Sequence, residues 1–210
     1  YQARWIGTDL VLDVRRPPRI SRGRPLDGRL IVVDPGHPPL GATGPTGLYE
    51  GDANLAVAQR LRAMLEAGGA RVVMTRTTGA PVDLGARVRL ADSVGAELLI
   101  SIHNNALPDG VNPFSNNGTS VFYNQPRSLP LARAIQRALV QDLGLRDLGV
   151  GRGDLALARP TWMPAVLCEG LFMTIPDQEA ALRTKEGQEL YAKGVYEGIV
   201  EYLKSVNSEK

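Results

Sequence analysis

Four side chains carry the chemistry legible in this sequence: His37, Glu50, His103 and Glu169. The chain holds only two histidines, and each follows directly on an apolar run: His37 after LIVVDPG, His103 after LLISI. Glu169 closes a third such run, AVLC. Two imidazoles and a carboxylate form a donor set for a divalent metal, zinc foremost. A catalytic zinc takes three protein ligands and keeps a fourth position for water or substrate. Glu50, shortly before a predicted helix, is the candidate third ligand, which leaves Glu169 free as a general base. That division has a physical reason: the pKa of water on zinc falls toward ~7, where a neighbouring carboxylate can take its proton.

Spacing alone does not decide the matter, because no HExxH pattern occurs. Taken singly, each residue has a structural reading. A histidine at a strand end is commonly just hydrogen-bonded. Glu50 suits a helix amino terminus, where the macrodipole favours a carboxylate. Glu169 alone reads as a surface group after a strand. The convergence of all four favours a metal.

That convergence depends on the elements that would position them. Leu30 to Val33, Arg71 to Thr75, Leu98 to Ile102, Gly118 to Tyr123 and Ala165 to Cys168 read as strands, with a short one at Leu155 to Leu157. Helical periodicity runs from Asn54 to Glu66, stopped by Gly68-Gly69, and then over Pro81 to Val94 and Ser128 to Leu143. A last helix spans Thr184 to Val206 and buries Leu190, Val195, Ile199, Tyr202 and Leu203. This alternation predicts a single α/β domain with a mainly parallel or mixed twisted sheet flanked by helices. His37, His103 and Glu169 would each sit just beyond the carboxyl end of a strand, the rim where such sheets bind ligands.

Residues 1–28 differ from the rest. Trp5 to Val14 suggests a strand pair, while Arg15-Arg16-Pro17-Pro18 and Arg22-Gly23-Arg24-Pro25 read as extended linker, the possible end of an upstream module. Residues 29–210 form the candidate catalytic domain. The chain begins at Tyr1 and reads as a piece of a longer protein, so a missing export signal says little. A formal charge of +2 with scattered basic residues argues against nucleic acid as a partner. No apolar stretch is long enough to span a membrane. Cys168 is the only cysteine, so no internal disulfide can form.

The motifs resemble those of the zinc-dependent N-acetylmuramoyl-L-alanine amidases of the amidase-3 type. IVVDPGH, YEGDANLAVAQRL, VVMTR, LLISIHNNA, GTSVFY and PAVLCEGLFMTIPDQEAALRT occur in the family's order, over roughly Leu30 to Tyr202. The resemblance implies hydrolysis of the amide between the lactyl group of N-acetylmuramic acid and L-alanine in peptidoglycan. It also implies one zinc ion held by His37, Glu50 and His103, Glu169 as general base and then acid, and a periplasmic or secreted place in the cell envelope. Three departures stand out. Pro38-Pro39 replaces the usual Gly-Gly, Gly51 replaces a common lysine, and Ile175 stands where asparagine is common. Division-linked members carry a long insertion with a zinc-covering helix. Asn104 to Asn117 is too short for one, so an open groove is expected.

Around these residues, Asp34 is expected to hold His37 through a hydrogen bond, or else to close the Asp-Pro-Gly turn. Asn105 is expected to contact substrate or to stabilise the rim. Cys168 should point into the packing, since a nucleophile needs an adjacent base and both histidines are committed. Arg152 and Arg159 fit stem-peptide carboxylates or plain surface, and Trp162 and Met163 fit a groove lining or core. Two alternatives remain at this point: another zinc amidohydrolase or peptidase on acylated peptides, and a non-catalytic peptidoglycan-binding module.

Overall fold

Alternation along the strands explains the layering. In Leu30–Pro35 (β3), Ile31 and Val33 pack into one buried cluster and Val32 into another, as successive side chains on a strand face opposite ways. Leu98–Asn105 (β5) repeats this, with Leu98, Ile100 and Ile102 on one face and Leu99 on the other. Strands apolar on both faces need cover on both faces, as parallel sheets do. The computed structural model describes residues 2–14, 23–108 and 110–208.

Its main sheet has six strands. Arg71–Met74 (β4), β3, β5 and Ala165–Phe172 (β8) lie side by side and run parallel. Thr119–Tyr123 (β6) then pairs antiparallel with β8, and Asp147–Arg152 (β7) runs parallel to β6 at the edge. The sheet is therefore mixed, as the sequence suggests. Glu50–Ala67 (α1), Leu129–Leu143 (α3) and Lys185–Ser208 (α5) cover one face through Leu61, Leu65, Ile135, Leu139, Val195 and Ile199. Leu84–Ser93 (α2) and the segment holding Leu157 and Met163 cover the other. Leu26 is buried in the larger cluster, and a Cβ on Gly68 would press on it at 2.6 Å, so the segment before β3 packs on the end of α1. Among the described residues, no helix is long and apolar enough to cross a membrane.

Several expectations are corrected. β5 and β8 continue past His103 and Glu169, so these two lie inside strands; only His37 lies beyond its strand. Pairing persists there across a register break between His103 and Asn105. No strand forms at 155–157, where a turn covers 156–158; the strand is β7, whose DLGVGR has weak β-propensity. Gly151 lies in β7 where a Cβ would strike the Phe122 ring at 2.6 Å, so packing rather than propensity makes the strand. The expected last helix is α5, and an additional short helix, Pro176–Arg183 (α4), precedes it; Thr184 divides the two, its extended backbone ending the first and its Oγ1 accepting from Gly187 N to start the second. Leu190 is exposed, and its neighbour Tyr191 takes the buried position. At the amino end, Gln2–Ile6 (β1) and Asp9–Asp13 (β2) form an antiparallel hairpin, and the Arg15–Arg22 part of the expected linker lies outside the described residues.

Candidate metal centre

β5 is flanked by β3 and β8, which brings three distant segments to one rim. His103 and Glu169 are register partners across β5 and β8. On the other side, Gly36 N donates to Ile102 O at 2.9 Å, tying the turn that carries His37 to β5. Glu50 opens α1, where the first-turn carboxylates Glu50 and Asp52 complement the helix dipole. The helix starts four residues earlier than the apolar period indicates, because Glu50 N donates to Ala42 O and the loop ahead braces the first turn.

Glu50 is the hinge of the cluster. Its Oε2 lies 3.1 Å from His37 Nε2, and its Oε1 lies 3.3 Å from His103 Nδ1. The imidazoles meet edge to face with centroids 4.9 Å apart. One donor atom from each of His37, Glu50 and His103 lies within 4.8 Å of the others. Two glycines make this approach possible: a Cβ on Gly36 would fall 2.3 Å from the His103 ring, and one on Gly41 would fall 2.9 Å from that of His37. The amides of Ala42 and Asn104 and the Asn54 side chain also donate to Glu50.

The electrostatics follow. Burial disfavours the Glu50 carboxylate, but hydrogen bonds and charge from His103 and His37 outweigh it and hold the carboxyl well below its ordinary range. Burial likewise lowers His37, and the Glu50 carboxylate outweighs it, so the net shift is upward. Glu169 is lifted to about 8, first by burial and then by the Glu50 charge. Its Oε2 is buried with no hydrogen-bond partner. Two nitrogens and a carboxylate oxygen converging at ligand-like separations, beside an orphaned carboxylate oxygen, fit a small divalent ion such as zinc.

The surrounding polar residues differ from expectation. Asp34 does not reach His37. Its oxygens accept from Thr75 Oγ1, Ser101 Oγ and Arg87 Nη1, because the buried guanidinium needs a counter-charge, while His37 Nδ1 lies 3.2 Å from Pro39 O. Asn105 lends its backbone carbonyl to Met173 N. The side chain that organises the rim is Asn104, buried, donating to Asn54 Oδ1 and accepting from Leu171 N. Strand alternation puts the two asparagines on opposite faces, a distinction that adjacent identical residues conceal in the sequence. Cys168 is buried in the core as expected, and burial raises its thiol further. Met163 is core, Trp162 packs against it, and Arg159 pairs with Asp154 at the surface.

The sequence family described as N-acetylmuramoyl-L-alanine amidase matches residues 31–201, which contain the whole cluster. The chain belongs to this amidase family. It is 34% identical over 186 residues to the N-acetylmuramoyl-L-alanine amidase LytC of Bacillus subtilis, covering 86% of this chain and 36% of that protein. It is 32% identical over 198 residues to the germination-specific N-acetylmuramoyl-L-alanine amidase of the same organism, covering 85% and 81%. Among solved structures, the N-acetylmuramoyl-L-alanine amidase AmiC2 of Nostoc punctiforme superposes with a TM-score of 0.78 at 32% identity, covering 85% of this chain and 99% of that one. The chain thus spans about a third of LytC and nearly all of the solved amidase domain.

Two supports of the amidase-family site escape sequence reasoning. The fully buried Tyr191 lies with its hydroxyl 2.8 Å from His103 O and 2.9 Å from Cys168 O, sharing one proton between β5 and β8 where their register breaks. Glu179 on α4 is also fully buried and accepts from Thr46 N at 2.9 Å and Leu48 N at 3.0 Å, anchoring the loop that leads to Glu50. Both look like ordinary helix residues in sequence, and nothing local marks them. The 106–118 segment holds no helix among its described residues, consistent with the short connection.

Proposed function

We propose that residues 29–210 form a zinc-dependent N-acetylmuramoyl-L-alanine amidase that hydrolyses the amide between the N-acetylmuramic acid lactyl group and L-alanine of peptidoglycan. The reading rests above all on the His37–Glu50–His103 cluster at the sheet rim, with Glu169 in register beside it. His37, Glu50 and His103 would hold the ion. When bound, zinc supplies Lewis-acid polarisation of the scissile carbonyl and a water acidic enough to give up a proton near neutrality.

The residues themselves do the proton work. Glu169, in register beside His103 with one buried carboxylate oxygen unpartnered, is suited to take a proton from water and return it to the departing alanine nitrogen. Ionised Glu50 supplies negative charge to offset a cation. The substrate is the glycan strand with its stem peptide, and the place of action is the cell envelope, periplasmic or extracellular.

The test is digestion of purified peptidoglycan by zinc-loaded and chelated protein. New L-alanine amino termini, lost on chelation and in Glu169→Ala, support the amidase. Reducing sugar ends, or pull-down of the polymer without products, count against it.

A further inference from the structure

The turn that carries His37 is gripped by one buried guanidinium. Arg87 on α2 is 1% exposed, and it uses all five N–H donors of its side chain. Nε donates to Val82 O at 2.9 Å. Nη1 donates to Asp34 Oδ1 at 3.0 Å and Pro35 O at 2.7 Å. Nη2 donates to His37 O at 3.2 Å and Pro38 O at 2.7 Å. Three of those carbonyls belong to the chain entering and leaving His37.

His37 itself has φ 55°, in the left-handed region that a side chain with a Cβ disfavours. Such a conformation persists only where its surroundings over-determine it, and such residues cluster at functional sites. Arg76 supports the preceding backbone through Pro35 O and Gly36 O. Arg87 is the guanidinium that reaches the carbonyls of His37 and Pro38, on the far side of the strained residue.

We propose that Arg87 is a positioning residue for the metal centre: by binding the carbonyls of Pro35, His37 and Pro38 it holds His37 left-handed and aims its ring at Glu50 and His103. The inference rests on His37 being a ligand. Lysine cannot substitute, because three donors at one point do not span carbonyls that a planar five-donor fork reaches together. Asp34, found bound to Arg87 instead of His37, thereby acts on the ligand at one remove.

The test is a zinc-affinity cycle on the full chain, by competition with a chromophoric chelator, with folding followed by circular dichroism. Arg87→Lys should weaken zinc by about tenfold or more, the usual scale for partners that orient a ligand. On a His37→Ala background the same change should cost less than about twofold, because the ligand through which it acts is gone. Equal losses in both backgrounds overturn the proposal, as does an equal loss in Leu139→Ala, a core change remote from the turn. If Arg87→Lys does not fold, Asp34→Asn replaces it, with the same pattern expected at smaller size and the same outcome overturning it. A wild type that binds no zinc overturns the functional reading instead. A crystal structure of the variant then decides: a displaced His37 ring with Glu50 and His103 unmoved supports the role of Arg87, and an unmoved His37 ring refutes it.

Discussion

His103 and Glu169 stand opposite one another on adjacent parallel strands, so a candidate ligand and the candidate proton carrier share one register position. Their separation is set by the sheet and not by a loop, which places both side chains on rigid backbone. The register break that follows at His103/Asn105 lies just past this pair.

This pairing predicts a separation of roles. Glu169→Gln keeps the shape and removes the titratable group, so zinc affinity should stay within a few-fold while hydrolysis falls about 10²-fold or more. Calorimetric zinc titration and product analysis on the same preparation check it. Loss of both together would mean that Glu169 is a ligand.

The contact between Gly36 and the His103 ring predicts a metal-binding defect from a single methyl. A Cβ at 2.3 Å from the imidazole leaves no room, so Gly36→Ala must displace His103 or the turn. Zinc affinity should fall about tenfold or more in a protein whose circular dichroism is unchanged. Normal affinity would show that the ring adapts freely.

Tyr191→Phe should destabilise without unfolding. Removing the hydroxyl leaves two buried carbonyls at His103 and Cys168 short of a donor, at about 1–3 kcal/mol for a buried group left unsatisfied. In a chain of this size that lowers Tm by roughly 2–4 °C per kcal/mol. Thermal denaturation measures it, and an unchanged Tm would show that the phenol only fills space. Gly170→Ala should be worse, because its Cβ would overlap the same ring at 2.3 Å.

Glu179 makes stability depend on acid. Burial raises its pKa, but the amides of Leu48 and Thr46 outweigh it, and the net shift is below the ordinary value of 4.5. A carboxyl depressed in the folded state contributes stability that is fully present above its unfolded pKa and is lost as pH falls through its folded value. Glu179→Gln should therefore lower Tm near neutrality, and the gap to wild type should narrow as pH drops below about 4. A gap that stays constant with pH would assign the effect to packing.

Much of the site is readable along the chain because its signals are local. Short β-branched runs ending in Asp-Pro-Gly-His or in His-Asn-Asn need only neighbouring residues to be recognised as strands approaching a rim. The misplacements share a cause. β7 is Gly-rich and exists because β6 offers it a partner, and α4 is a short helix whose buried side chains include the polar Gln178 and Glu179, so no apolar period marks it. Asp34 turns to Arg87 because a buried cation 53 positions away needs it.

The sequence by itself determined the residue types: two histidines and two glutamates with zinc-like donor chemistry, set at or near the ends of apolar strands and a helix. Only the tertiary structure decided which atoms meet. Parallel pairing fixed His103 opposite Glu169, two bare glycines let the imidazoles close on Glu50, and Arg87 and Arg76 settled the turn between them. The physical reason is range. Propensity and apolar period act over a few residues, whereas close approach and the pairing of buried donors depend on segments that only the folded chain brings together.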